Sequence, residues 1–183
     1  MTALRTICVF CGSSPGHDAG FTRVAWQLGK LLAERNLTVV YGGAQIGLMG
    51  SVADAALSAG GKVIGVLPKL LMAKELGHHG LTELHVVDTM AERKDRLMAL
   101  ADAFIAMPGS IGTLDELFEV WTCNQLGLLD KPCGLLNVNG YFDSLLGFLD
   151  NVVNQGFMRP PHRALLKVAT EPEVLLQELM ASS

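Results

Sequence analysis

The sequence predicts a doubly wound α/β fold, a parallel sheet with helices on both faces, and three observations carry that prediction. Short apolar runs alternate with segments of helical apolar spacing along the whole chain. The short runs are continuously apolar, as in strands covered on both faces, where a half-exposed strand would alternate. Glycine-rich turns stand at several strand-to-helix junctions, and open sheets of this kind bind ligands at the carboxyl ends of their strands, near a switch in strand order.

The elements follow in order. Leu4–Cys11 is a first strand ending in Gly12-Ser13-Ser14-Pro15. Asp18 precedes a helix whose Phe21, Val24, Ala25, Leu28, Leu31 and Leu32 recur at helical spacing, and Asn36 ends it. Leu37–Tyr41 is a second strand, stopped by Gly42-Gly43. A helix over Leu48–Leu57 ends at Gly60-Gly61, and Val63–Leu67 is a third strand, stopped by Pro68. Lys69–Thr82 is irregular. Glu83–Val87 is a fourth strand, and Met90–Ala101 a helix with Leu97 and Leu100 on its apolar face. Ala103–Met107 is a fifth strand, stopped by Pro108-Gly109. Thr113–Leu126 is a helix with Leu114, Leu117, Phe118 and Trp121 on one side. Gly134–Val138, a helix over Phe142–Val153, a short strand over Leu165–Val168 and a helix over Pro172–Met180 complete the chain.

A length of 183 residues fits one domain over 1–183. Half of the residues are apolar, 17% are charged and the mean hydropathy is +0.35, which excludes disorder for most of the chain. A net charge of −4 argues against nucleic-acid binding on a broad basic face. No run approaches the roughly 18 apolar residues of a membrane span. The apolar Thr6–Cys11 is too short for a secretory signal, so a cytoplasmic protein is expected. The high hydropathy also points to a buried subunit interface. Cys8 and Cys11 form a C-x-x-C, yet no second pair completes a metal site, and three steps along a strand send the two thiols to opposite faces. Buried thiols and no metal are expected.

Three turns share an unusual composition: Cys11-Gly12-Ser13-Ser14, Tyr41-Gly42-Gly43-Ala44-Gln45-Ile46-Gly47-Leu48-Met49-Gly50, and Met107-Pro108-Gly109-Ser110-Ile111-Gly112-Thr113-Leu114-Asp115-Glu116. Glycine lets backbone N–H groups approach a ligand, and a helix N-terminus adds partial positive charge. Each turn is suited to hold a phosphate, and three on one sheet edge point to one pocket. The second turn is neither a Walker A loop nor a G-x-G-x-x-G fingerprint, since its glycines fall at 42, 43, 47 and 50. A nucleotide or sugar-phosphate pocket of another kind is the reading.

Arg93, Lys94 and Arg96 lie early in the helix after the fourth strand, where cations oppose the macrodipole, and a bound anion would explain at least one of them. Glu116 falls in the first turn of the helix after the fifth strand, and Asp115 beside it points elsewhere. His78 and His79 sit in the irregular segment and read as pocket-rim residues. Leu48, Met49, Met90 and Met98 are candidates for an apolar pocket wall and are equally at home in the core.

Taken together, the Tyr41–Gly50 turn, the Arg93-Lys94 pair and Pro108-Gly109-Ser110-Ile111-Gly112-Thr113-Leu114-Asp115-Glu116 resemble the LOG ("Lonely guy") family of cytokinin riboside 5′-monophosphate phosphoribohydrolases. The likeness runs over nearly the whole chain. Ser110 departs from it, standing where the second of two paired glycines is expected. The resemblance implies a Rossmann-like fold, a homodimer, no cofactor, and hydrolysis of the N-glycosidic bond of a purine nucleoside 5′-monophosphate to free base and ribose 5-phosphate. An older "lysine decarboxylase" label also travels with the family, and no feature of this chain points to a pyridoxal phosphate site.

By the same resemblance Arg93 and Glu116 are the catalytic pair and Lys94 a substrate contact. Gly109, Ser110, Ile111, Gly112 and Thr113 form the phosphate turn. Glu75 and Thr122 are outlying substrate contacts, and Gly43, Gly47 and Met49, with Gly12 and Ser13 of the first turn, border the nucleotide. Ser110 either crowds the phosphate, by forbidding a glycine conformation, or adds a hydroxyl donor. The substrate expected is an N6-prenylated adenosine monophosphate. A general AMP or purine-nucleotide nucleosidase and a non-catalytic nucleotide sensor are the alternatives.

Overall fold

The structure is a computed structural model that describes residues 4–72 and 77–182. Seven strands, β1 (Thr6–Phe10), β2 (Thr38–Tyr41), β3 (Val63–Pro68), β4 (Glu83–Val87), β5 (Ala103–Ala106), β6 (Cys133–Leu136) and β7 (Leu166–Ala169), form one sheet. Its order is β4-β3-β2-β1-β5-β6-β7, and every neighbouring pair is parallel. The order reverses between β1 and β5, so the carboxyl ends of those two strands form the switch point.

The helices are α1 (Ala19–Glu34), α2 (Gly47–Ser58), α3 (Lys69–Met72), α4 (Met90–Leu100), α5 (Ile111–Gln125), α6 (Asp143–Asn154), α7 (Pro160–Arg163) and α8 (Pro172–Ala181). They cover both faces of the sheet. On one face Leu28 and Leu32 of α1, Val52 and Ala56 of α2 and Leu175 and Leu179 of α8 pack on Ile7, Val9, Val39 and Ile105. On the other, Leu97 of α4, Leu117 and Trp121 of α5 and Leu149 of α6 pack on Cys8, Phe10, Val40 and Phe104. Cys8 and Cys11 fall in opposite layers as free, buried thiols, as strand alternation requires.

Local chemistry sets the boundaries. Asp18 caps α1 by accepting from Gly20 N–H at 2.7 Å, and Asn36 leaves the helix at φ 57°. Thr89 and Glu92 close the N-terminus of α4 with a capping box. Four expectations need correction. The segment after Pro68 is not wholly irregular, because it opens with the single turn of α3. α7 was not anticipated, since four residues carry no readable period and only Pro160 at the start signals it. α5 begins at Ile111, two residues earlier than the pattern indicates, so Glu116 stands in its second turn and not its first. β4 is an edge strand with Glu83 and Val86 exposed, and the other edge strand, β7, carries the half-buried Lys167, so the continuous-apolar reading fails at the two edges of the sheet.

Candidate active site

The three glycine turns meet at the switch point and are bonded to one another. Gly12 N–H donates to the Pro108 carbonyl at 3.0 Å. The Gly12 carbonyl accepts from Leu48 N–H at 3.0 Å and Met49 N–H at 3.3 Å, which occupies two of the donors in the first turn of α2. Gly47 holds φ +60° against the backbone of Ser13, where a Cβ would stand 2.3 Å from the Ser13 carbonyl carbon. α5 is different. Ser110 is its N-cap residue, its hydroxyl makes no cap bond, and the N–H groups of Ser110, Ile111, Gly112 and Thr113 meet no acceptor among the described residues. The Thr113 side chain is buried, and its hydroxyl also has no hydrogen-bond partner among them. Four backbone donors and a hydroxyl at a helix N-terminus make a site for an oxyanion.

Arg93 and Glu116 lie beside it, 6% and 7% exposed. Thr89 fixes the start of α4, and this turns Arg93 inward from its first turn. Its Nε donates to the Val66 carbonyl at 3.2 Å and an Nη to the Gly42 carbonyl at 3.3 Å. Gly42 is required there, because a Cβ would fall 2.0 Å from that nitrogen. The other Nη faces Glu116 Oε1 at 3.4 Å. Burial pushes the Glu116 carboxyl above the usual glutamate range, and the Arg93 guanidinium opposes that rise. The carboxylate is thus desolvated and held by one cation.

These groups line a cleft of about 230 Å³. Glu116, Arg93, Thr113, Gly112, Ser110, Ser13 and Gly12 form its polar side, and Ile46, Met49, Leu67 and Leu71 its apolar wall. A second cavity of about 210 Å³ shares Gly12, Ser13 and Ser110 with it and holds Leu48, Gly109, Phe21 and Tyr141. Ser110 has φ −105° and ψ −157°, extended backbone that any residue adopts, so the expected glycine strain is not there.

Other sequence expectations are redirected. Lys94 lies off the cleft, bonded to Asp115 at 3.1 Å and Glu119 at 3.0 Å, which raise its pKa. Arg96 donates to His85. The early cations of α4 are therefore satisfied by protein groups, and no bound anion is needed to account for them. Ile111 is 84% exposed and turned away from the cleft, and Thr122 is exposed further along α5. Gly43 and Gly47 support the turn from behind without lining the cleft, and Gly109 lines only the second cavity. Glu75 lies outside the described residues. His78 bonds Asp54 at 3.0 Å and accepts from Gly80 N–H, clasping its own loop. Met90 is exposed, and Met98 packs on the core. Ile46, Leu67 and Leu71 carry no sequence signal of this role; Leu67 closes β3, Leu71 lies in α3 just after it and Ile46 caps α2, which puts all three on this edge, but only the fold aims them inward. No group of three or more His, Cys, Asp or Glu able to hold a metal occurs among the described residues.

An open parallel sheet with an anion cradle and a buried carboxylate at its switch point is the build of a nucleotide-handling protein. A family model described as "Possible lysine decarboxylase" matches residues 49–179. The cytokinin riboside 5′-monophosphate phosphoribohydrolase LOG3 of Arabidopsis thaliana is 47% identical over 96% of this chain and 81% of its own length. The cytokinin riboside 5′-monophosphate phosphoribohydrolase of Rhodococcoides fascians is 46% identical over 92% of this chain and 86% of its own. Among solved structures, the molybdenum cofactor binding protein of Rippkaea orientalis superimposes with a TM-score of 0.74 at 22% identity, over 99% of this chain and 98% of that one, a likeness of fold alone. The chain belongs to the LOG family of cytokinin riboside 5′-monophosphate phosphoribohydrolases.

Proposed function

We propose that this chain hydrolyses the N-glycosidic bond of an N6-prenylated adenosine 5′-monophosphate, releasing the free base and ribose 5-phosphate. The observation that carries the reading is the buried Arg93–Glu116 pair facing the same cleft as the unpartnered N-terminus of α5. The 5′-phosphate sits on the N–H groups of Gly112 and Thr113, which brings the ribose to Glu116. As the C1′–N9 bond breaks, its electron pair leaves with the base and positive charge grows on the sugar. The Glu116 carboxylate stabilises that charge and orients the water whose oxygen adds to C1′. One proton of that water stays on the new hydroxyl and the other ends on the base. Arg93 keeps its proton throughout, holds Glu116 ionised despite its burial, and offsets negative charge on the leaving base. The wall of Ile46, Met49, Leu67 and Leu71 supports an apolar substituent on the base over plain AMP.

The site assignment and the substrate are tested together by chromatography of base release from isopentenyladenosine 5′-monophosphate, AMP, GMP and CMP. The prenylated nucleotide is expected to react fastest. Glu116→Gln is expected to cut kcat by about 10³-fold while nucleotide binding persists. Release from AMP alone would make the protein a general nucleosidase, and binding without release a sensor. As part of the same reading, the chain is one domain over 1–183 that acts as a cytoplasmic homodimer. A single sheet supports the first, and Ile111 and Thr122, exposed on one face of α5, with exposed Leu126 just past its end, support a partner surface. No described helix is long and apolar enough to cross a membrane.

A further inference from the structure

The loop between β6 and α6 is built with more care than a connection needs. Asn137 is buried: its N–H donates to the Ala169 carbonyl at 2.8 Å, its Oδ1 accepts from Phe142 N–H at 2.8 Å, and its Nδ2 donates to Asp143 at 2.7 Å. Asn139 and Gly140 then take φ 51° and 72°, and Asn139 Nδ2 reaches Asp18, the cap of α1, at 2.7 Å. The product of this turn is the placement of one side chain. Tyr141 packs edge-on against Phe21 and Phe142, with ring centres 5.5 and 4.8 Å away, and its hydroxyl donates to the Gly109 carbonyl at 2.6 Å.

We infer that Tyr141 is a positioning residue for the phosphate turn of α5: by holding the Gly109 carbonyl, its phenol turns the Ser110 N–H toward the phosphate. The inference rests on the nucleotide reading above. In a trans peptide the carbonyl of one residue and the N–H of the next point in opposite directions. The described residues contain no cis peptide. Gly109 and Tyr141 line the second cavity only, whereas Gly112, Thr113 and Glu116 line the first only, with Ser110 on the ridge between them. The Gly109 carbonyl therefore points to the second cavity and the Ser110 N–H away from it. The preceding carbonyl, Pro108, is tied back by Gly12 N–H at 3.0 Å. Two successive carbonyls are thus each held by a protein donor. Released, the Gly109–Ser110 peptide is free to rotate, and rotation would replace an N–H donor at the phosphate with a repelling carbonyl oxygen.

Tyr141→Phe removes the hydroxyl and keeps the ring. Isothermal calorimetry with ribose 5-phosphate, the melting temperature and steady-state kinetics on isopentenyladenosine 5′-monophosphate are measured on the wild type and the variant. The expected result is ribose 5-phosphate binding weakened about tenfold and KM raised about tenfold, the loss of roughly one hydrogen bond to a charged group. kcat is expected within twofold, the melting temperature within about 2 °C, and the affinity for the free base, which carries no phosphate, unchanged. Equal binding of ribose 5-phosphate by both proteins overturns the inference, and so does an equal weakening of phosphate-bearing ligand and free base. If the wild type binds ribose 5-phosphate and releases no base, the proposed reaction fails, and the calorimetric comparison still decides for or against Tyr141. If the wild type binds no ribose 5-phosphate, the anion site and this inference fail together.

Discussion

The turn before α2 and the turn before α5 each follow a buried parallel strand, each place glycines ahead of a helix, and each lie at the switch point. They differ in what meets their first N–H groups. Those of Leu48 and Met49 are taken by the Gly12 carbonyl, while those of Ser110 to Thr113 meet no protein acceptor among the described residues. One helix end has been closed to fasten β1 to β2, and its glycine allows the close contact with Ser13. The other has been left open, which costs it a cap and leaves free the kind of donors an oxyanion accepts from. Glycine-rich composition is common to both uses, so only the partners of the backbone donors separate scaffold from site.

That contrast is most directly broken by paired alanine substitutions. In Gly47→Ala a Cβ must adopt φ +60° and occupy space held by Ser13. The expected cost is about 3 kcal/mol, a fall in melting temperature of roughly 10 °C. At Gly112 a Cβ meets nothing within 4 Å, because the open cleft is its neighbour. Gly112→Ala is expected to melt no lower than the wild type, since alanine favours the helix, while its KM rises about tenfold as the methyl crowds the phosphate. Thermal melts and KM values on both variants check this. A stable, active Gly47→Ala, or an unaffected KM in Gly112→Ala, removes the distinction between the two turns.

A smaller effect is expected in the pH profile. The cleft beside α5 keeps its carboxylate buried, so Glu116 holds a proton more tightly folded than unfolded. The acid limb of kcat should therefore lie above the usual glutamate range, activity rising as pH climbs through the raised value. Linkage gives the matching sign for stability. The contribution of Glu116 is fully present below its unfolded pKa and is lost as pH rises through the folded one. Arg93→Gln removes the charge that opposes the rise while leaving N–H donors for Gly42 and Val66. Its acid limb should move further up, on a lower plateau. Rates measured from pH 4 to 8 test the direction, and an unmoved limb means that another group sets it.

Much of this was legible in the sequence. The alternation of elements, the switch-point site, the opposite faces of Cys8 and Cys11 and the helix stops at Asn36 and Gly60 all rest on local chemistry and periodicity. Arg93, Glu116 and the Gly109–Thr113 turn were legible through the family pattern. What was not legible depends on direction. Lys94 and Arg93 are adjacent in sequence, yet one turns into the cleft and the other pairs with Asp115 and Glu119 on α5, a choice made by a helix more than twenty residues away. The separation of the α2 turn from the α5 turn is of the same kind, because it depends on a carbonyl contributed by Gly12. Tyr141 carried no signal at all, since a tyrosine after Asn-Gly reads as an ordinary loop residue.

The smallest expected effect concerns the one departure from the family pattern. Ser110 adopts extended backbone, so it bears no strain that glycine would relieve, and its hydroxyl caps nothing among the described residues. Ser110→Gly should therefore shift the melting temperature by no more than about 1 °C, as glycine at an N-cap costs only tenths of a kcal/mol against serine. The backbone N–H of residue 110 is kept in the variant, and with it the donor we assign to the phosphate. What is lost is one hydroxyl on the ridge shared by the two cavities, open to water and not preorganised by any bond. KM should change by less than about threefold, with kcat unaltered, because a solvated hydroxyl exchanges one hydrogen bond to water for one to phosphate at little net gain. A tenfold rise in KM would instead put the serine among the phosphate's ligands. The open end of α5 would then depend on a side chain as well as on its backbone, and the contrast with α2 would be one of composition after all.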